Sequence, residues 1–237
     1  MHRMPYSGPA ARASRRRAAA ALLVSLALVA PPLARATSDE ELARNARLLA
    51  SVRNDDAAGV TRALAEGAAV DSRNRLGETG LLIALKRNRA DIAQAFLAAG
   101  ANVNLAAING VTPLMAAAYS GDVAMARMLI DRGADVSAVD RLGKNAITYA
   151  AGEGKTDVVR LLLAHGVDPN AVYRNELTAL MWAAGYGQTE TARALIDAGA
   201  RVDLVDDRGK NALDMAREFK HAETVEVLEQ ALRAPRH

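Results

Sequence analysis

The chain has 237 residues, of which 30 are basic and 27 acidic, giving a formal charge of +3. It contains no cysteine, which excludes disulfides, thiolate metal sites, cysteine nucleophiles and lipid attachment through cysteine. One tryptophan, five tyrosines and two phenylalanines are its only aromatic residues, so alanine and leucine do most of the packing.

The basic balance sits in the first segment. Residues 1–36 hold six arginines and no acid, followed from Ala18 to Ala30 by an apolar stretch and then by Ala34-Arg35-Ala36. A basic start, a short apolar run and a small-residue site make a secretory signal peptide. The apolar run is shorter than the roughly 20 residues that span a bilayer. Cleavage is therefore expected after Ala36, leaving Thr37 first, a periplasmic or secreted product and no stable membrane anchor. Ser14-Arg15-Arg16 touches the twin-arginine pattern but lacks the bulky apolar residue that follows it, which favours general secretion. Without the six arginines, 24 basic residues face 27 acidic ones, a net charge of −3. That balance opposes the broad phosphate attraction on which nucleic-acid binders rely.

From there to Leu232 the chain is periodic. Gly67, Gly100, Gly133, Gly166 and Gly199 stand 33 residues apart, and Thr79, Thr112, Asn145, Thr178 and Asn211 follow at a fixed offset. A period of this length marks a repeat array whose units stack because none folds alone. A domain over 37–232 is expected, with units near 38–73, 74–106, 107–139, 140–172, 173–205 and 206–232, then a disordered tail at 233–237. The first unit is incomplete, with helices at about Glu40–Arg53 and Asp56–Ala65.

Gly110–Val136 shows the full unit. Gly110 permits a turn, Thr112 caps a helix and Pro113 suits its first position. Leu114, Ala117 and Ala118 give that helix a small apolar face, and Ser120-Gly121 breaks it. A second helix from Val123 to Arg132 offers Ala126, Met128, Leu129 and Ile130 for burial, and Gly133 ends it. In the closing unit, Glu229 replaces the aliphatic Leu97, Ile130, Leu163 and Ile196, so a further contact is not expected beyond it.

TPLM at Thr112–Met115, TALMWAA at Thr178–Ala184, and GANVN and GADVS at the helix ends resemble the ankyrin repeat. The resemblance covers nearly all of Ser38–Leu232. It implies an all-α solenoid of helix pairs joined by β-turn fingers, with a concave binding face. The chain departs from the family pattern where a histidine is expected after T-P-L: Leu82, Met115, Thr148, Met181 and Asp214 stand there instead. The inter-repeat bonds of that histidine must be replaced by other packing.

Catalysis has little support. His2 leaves with the leader, His237 is terminal, and His165 and His221 do not share ligand spacing. Gly152–Thr156 reads GEGKT, the end of a phosphate-binding loop, but Tyr149 occupies the place of the required glycine and the register puts the string between paired helices. No catalytic, cofactor or metal residue is assigned. The expected function is non-enzymatic protein binding by a monomer, with a small-molecule or peptide carrier as the alternative and an enzyme a distant third.

By resemblance, the partner would touch the finger tips and the inner helices. The tips supply Arg75, Leu76, Val111, Arg141, Leu142, Lys144, Arg174, Leu177, Arg208 and Lys210, alongside Glu78, Ile108, Asn109, Asn175 and Asp207. The inner helices supply Lys86, Arg87, Tyr119, Tyr149, Trp182, Tyr186 and Phe219, with Ser120 and Glu153 beside them. Tyrosine and tryptophan favour interface centres because they bury rigid area and keep a polar handle. Tyr149 and Trp182, one period apart, are equally compatible with packing between units. The acids Glu78, Asp206 and Asp207 dilute the basic tips.

Overall fold

The computed structural model describes residues 33–233; the leader up to residue 32 and residues 234–237 lie outside them. Helix α1 (Leu33–Arg53) and α2 (Ala57–Ala65) form the first pair. The others are α3 (Gly80–Lys86) with α4 (Ala90–Ala98), α5 (Pro113–Ser120) with α6 (Val123–Asp131), and α7 (Ala146–Gly152) with α8 (Thr156–Ala164). The last are α9 (Ala179–Gly185) with α10 (Thr189–Asp197), and α11 (Ala212–Glu218) with α12 (Ala222–Arg233). No strand occurs among the described residues; one antiparallel bridge joins Arg73 to Thr79. The all-α solenoid expected from the sequence is the observed architecture.

Two ends differ from expectation. Helix α1 starts at Leu33 rather than Glu40, so it runs through the expected cleavage site. Helix α12 includes Arg233, which the sequence reading placed in the tail. Glu229 faces two arginines there, 2.7 Å from Arg217 and 3.1 Å from Arg233.

The repeats form helices of 7–9 residues after the first pair and before the last helix. Isolated helices this short are not stable in water, so packing between units holds them. The inner helices α3, α5, α7, α9 and α11 touch in sequence, and α2 lies against α4, α6 against α8, α8 against α10, and α10 against α12. Ala84, Ala117, Ala150, Ala183 and Ala216 form one fully buried column, each with 0 % exposure, whose small side chains let the inner helices approach. A second column, Leu81, Leu114, Ile147, Leu180 and Leu213, fills the space behind it.

Every expected cap is present. Thr79, Thr112, Asn145, Thr178 and Asn211 each accept a backbone N–H from the residue three positions on. The residues that replace the family histidine complete the cap in four units. The Thr112 N–H reaches Met115 Sδ at 3.5 Å, and Thr178 reaches Met181 Sδ at 3.4 Å. Asn145 donates to Thr148 Oγ1 at 2.9 Å, and Asn211 to Asp214 Oδ2 at 3.1 Å. These positions serve their own helix. Leu82 has no acceptor for this role.

The glycines that set the period have φ near +83°, as at Gly100 and Gly133, and a Cβ there would meet nothing. Their requirement is the left-handed backbone that ends a helix, not space.

Several side chains that the periodicity did not flag make bonds between units. Asn104 donates to Gly133 O at 2.9 Å and accepts from Asp135 N; Asn170 repeats this with Gly199 O and Arg201 N. Along the other side, Arg89, Gln188 and His221 each reach back to a carbonyl of the preceding unit, at Asp55, Gly152 and Gly185. Thr156 bonds Thr191, and Thr189 bonds Thr224.

Between Asn104 and Asn170 stands Ser137, whose short side chain turns to Asp135 instead. A cleft of about 220 Å³ lies beside it, lined also by Gly166 and Asp168. Ser137→Asn should restore the two missing bonds and stabilise the array by about 1 kcal/mol, read from urea denaturation. An unchanged midpoint would show that the clamp does not set stability.

Candidate functional site

The inner helices and the fingers border a groove. Each finger is a tight turn, and three are pinned at the base, where the side chain at the turn's first residue accepts two backbone N–H groups; Ala107 and Tyr173 stand at that place in the other two. Asn74 accepts from Leu76 and Glu78, Asp140 from Leu142 and Lys144, and Asp206 from Arg208 and Lys210. Successive fingers then join through their tips. At Gly110, with φ +85°, a Cβ would strike the backbone of Asp140 at 2.8 Å, so the stacking itself demands glycine there. The finger Arg174–Glu176 differs from the others: Asn175 and Glu176 both take positive φ, and Arg174 binds Arg141 O through its side chain.

Most of the expected contact residues lie along this groove at the surface. Leu76, Tyr119, Leu142, Tyr186 and Phe219 are each more than half exposed, at 64, 53, 60, 57 and 59 %. Arg75, Lys86, Arg87, Arg141, Arg174 and Arg208 are exposed as well. Val111, Lys144, Tyr149, Leu177, Trp182 and Lys210 are half-buried.

Several of these side chains are already engaged. Lys86 holds Glu78 at 2.7 Å, Arg87 holds Asp55 at 2.6 Å, Arg208 holds Asp206 at 2.8 Å and Lys210 holds Glu218 at 2.7 Å. The basic rim is thus more neutral than its composition. Burial would raise the Asp206 carboxyl, but the N–H groups of Lys210 and Arg208 and the Arg208 guanidinium outweigh it and hold it below its ordinary value. A folded value below the unfolded one contributes stability at neutral pH that vanishes as pH falls through the folded value. The stability gap between wild type and Asp206→Asn should therefore stay constant down to about pH 5 and close below about pH 4. A gap that persists in acid would contradict the assignment.

The aromatics form two groups separated by Lys144. Tyr119 meets Tyr149 edge-on at 6.2 Å, and Trp182 stacks on Tyr186 at 6.0 Å. The Lys144 ammonium lies 4.0 Å from the Trp182 ring centre and 5.5 Å from that of Tyr149. Such a contact is favourable because the ring face is negative. Tyr149 donates its hydroxyl to Asp140 Oδ2 at 2.7 Å, and burial together with that carboxylate raises its pKa. Tyr149 and Trp182 thus both pack between units and line the groove.

Two clefts result. One of about 260 Å³ lies among Lys86, Val111, Met115, Tyr119 and Tyr149. The other, about 380 Å³, lies among Leu177, Trp182, Tyr186, Arg208, Met215 and Phe219. Gly185 deepens the second, since a Cβ there would meet only open space.

Each described histidine is committed to a backbone carbonyl, His165 to Leu161 O at 2.8 Å and His221 to Gly185 O at 3.1 Å. Among the described residues no group of three or more histidine, aspartate or glutamate side chains is placed to hold a metal. Gly152–Thr156 spans the link between α7 and α8, and Lys155 lies against Gly121. The sequence reading missed Asp140 as the organiser of the groove. Its signal was the polar residue recurring at the base of the fingers, at Asn74, Asp140 and Asp206.

A family model for ankyrin repeats matches residues 48–140, 109–172 and 147–232. No curated protein matches the chain. Helix pairs in a constant register, capped at the same place in each full unit and matched from 48 to 232, show that the chain belongs to the ankyrin-repeat family.

Proposed function

We propose that this protein is an exported, non-enzymatic module that, as a monomer, holds one protein partner along the groove. Ankyrin repeats are in general protein-binding modules. The observation that carries the reading is the exposure of Tyr119, Tyr186 and Phe219 beside the tip leucines Leu76 and Leu142. Apolar side chains left in water along one line mark a surface meant to be covered. The two clefts lie at or below the low end of roughly 300–1,000 Å³ typical of small-molecule pockets. They suit single side chains of a protein better than a carried ligand.

Export rests on the composition of the leader. Among the described residues no helix is long and apolar enough to cross a membrane. Cleavage after Ala36 would shorten α1 by its first turn, and sequencing the exported protein should find Thr37 first. To test the binding face, Tyr119, Tyr186 and Phe219 are changed together to alanine, since all three are exposed and cost little stability. The variant should keep its helical circular dichroism and lose its native partner. Retention of that partner by the folded variant would remove the groove from consideration.

A further inference from the structure

Neighbouring finger tips are tied by a backbone ladder, interrupted where the Arg174 side chain binds Arg141 O instead, that leaves a donor unused at its first finger. The Ile108 N–H donates to Leu76 O at 2.9 Å, Arg141 to Asn109 O at 3.0 Å, and Asp207 to Asn175 O at 3.1 Å. Arg75 stands one period before Ile108, so its N–H points the ladder toward a preceding finger. The residue one period earlier, Leu42, lies inside α1, and the described residues hold no such finger. Among the described residues the Arg75 N–H has no hydrogen-bond partner.

Next to this open donor, α1 and the first finger enclose a cleft of about 610 Å³. Leu49 and Leu76 give it an apolar floor, and Arg53, Arg73 and Arg75 surround it without any acidic residue in the lining. Arg73 binds Ala106 O at 3.2 Å, yet none of the three arginines has an ion-pair partner among the described residues. This contrasts with Lys86, Arg87, Arg208 and Lys210, which are all paired. Guanidinium groups match carboxylates in a two-pronged geometry, and neighbouring unneutralised ones favour an anionic ligand.

We propose that this end of the groove takes an extended acidic segment of a partner protein. Its backbone carbonyl accepts from the Arg75 N–H and continues the ladder, as a peptide does when it adds to a sheet edge. Its carboxylates pair with Arg53, Arg73 and Arg75, and an apolar side chain enters between Leu49 and Leu76. Nucleic acid fits less well, because the cleft offers no aromatic ring on which a base could stack. The inference rests on the reading of this face as the partner-binding surface and adds the chemistry of what it binds.

The test uses the full chain and a fluorescent, end-blocked peptide of glutamate, leucine and serine, with its glutamine counterpart as control. The acidic peptide should bind, and the glutamine peptide should bind about tenfold more weakly or worse. Arg53→Glu combined with Arg75→Glu should cost a similar factor. Arg75 is the second residue of a turn closed by Gly77 N to Asn74 O at 2.9 Å, a place proline accepts, so Arg75→Pro removes the donor without breaking an internal bond. It should bind about fivefold more weakly than Arg75→Ala. Equal binding of the two peptides, or indifference to the arginine changes, overturns the proposal. So does binding of a single-stranded oligouridine where the acidic peptide is inert. If the peptide fails while the groove-aromatic variant still loses the native partner, the acidic end site falls and the groove reading stands.

Discussion

Gly80→Ala is expected to destabilise the array by about 2–3 kcal/mol, near the top of the range for overpacking a filled core. Helix propensity alone predicts the opposite sign, since alanine exceeds glycine by about 1 kcal/mol within a helix. Packing decides. Gly80 opens α3 where Pro113, Ala146, Ala179 and Ala212 open the later inner helices. Opposite it in α4, Phe96 replaces the Leu129, Leu162, Leu195 and Leu228 of later units and is fully buried at 0 % exposure. A methyl on Gly80 would fall on the Phe96 ring. The pair is a local exchange of volume: a larger ring occupies the space of a missing methyl. Phe96→Leu alone should cost about 1–2 kcal/mol by leaving a void. The double variant should be more stable than the sum of the two, with a coupling of about 2 kcal/mol in urea denaturation. Additive losses would show that the ring and the glycine are independent.

Asp140→Ala is the second large effect, a loss of about 3 kcal/mol. The carboxylate is 6 % exposed and satisfies three donors: the N–H groups of Leu142 and Lys144 and the Tyr149 hydroxyl. Alanine leaves all three without a partner. Asparagine keeps one oxygen for the two N–H groups, as Asn74 does in the first finger, and turns its amide to Tyr149 Oη. Asp140→Asn should therefore cost about 1 kcal/mol or less. Because Asp140 anchors Lys144, whose ammonium lies over Trp182, the alanine variant should also shift tryptophan fluorescence. Equal losses for alanine and asparagine would mean that charge, not hydrogen-bond geometry, holds the finger.

These two sites show where a repeating sequence is legible and where it is not. Caps, helix breaks and helix-ending glycines follow from local backbone chemistry, so Thr112, Ser120-Gly121 and Gly133 announce themselves. The buried alanine column is equally plain, because only small residues recur there. Contacts between units are harder, since the partners stand about one period apart and neither is unusual alone. Asn104 and Asn170 look like loop asparagines until each is seen bonding the next helix end. Gly80 looks like a helix-weakening choice until Phe96 is placed against it. The loss of the family histidine is likewise explained only in three dimensions, where Met115, Thr148, Met181 and Asp214 turn to their own helix caps.

The binding groove was partly legible. The sequence placed the aromatics on inner helices and the cations on the tips. It did not show that Lys86, Arg87, Arg208 and Lys210 are spent on neighbouring acids, nor that Arg53 and Arg73 join Arg75 at the open end. Charge counted along a chain cannot reveal which charges are neutralised. Only their placement does.

The most direct measurement of the central claim is site-specific photocrosslinking in the native compartment. A photoreactive amino acid replaces Tyr186 in the groove and, in a separate protein, exposed Glu190 on α10 as the control. The account predicts one discrete crosslinked protein from Tyr186 that is absent from the control. The same species from both positions, or from the control alone, would place the partner elsewhere and contradict it.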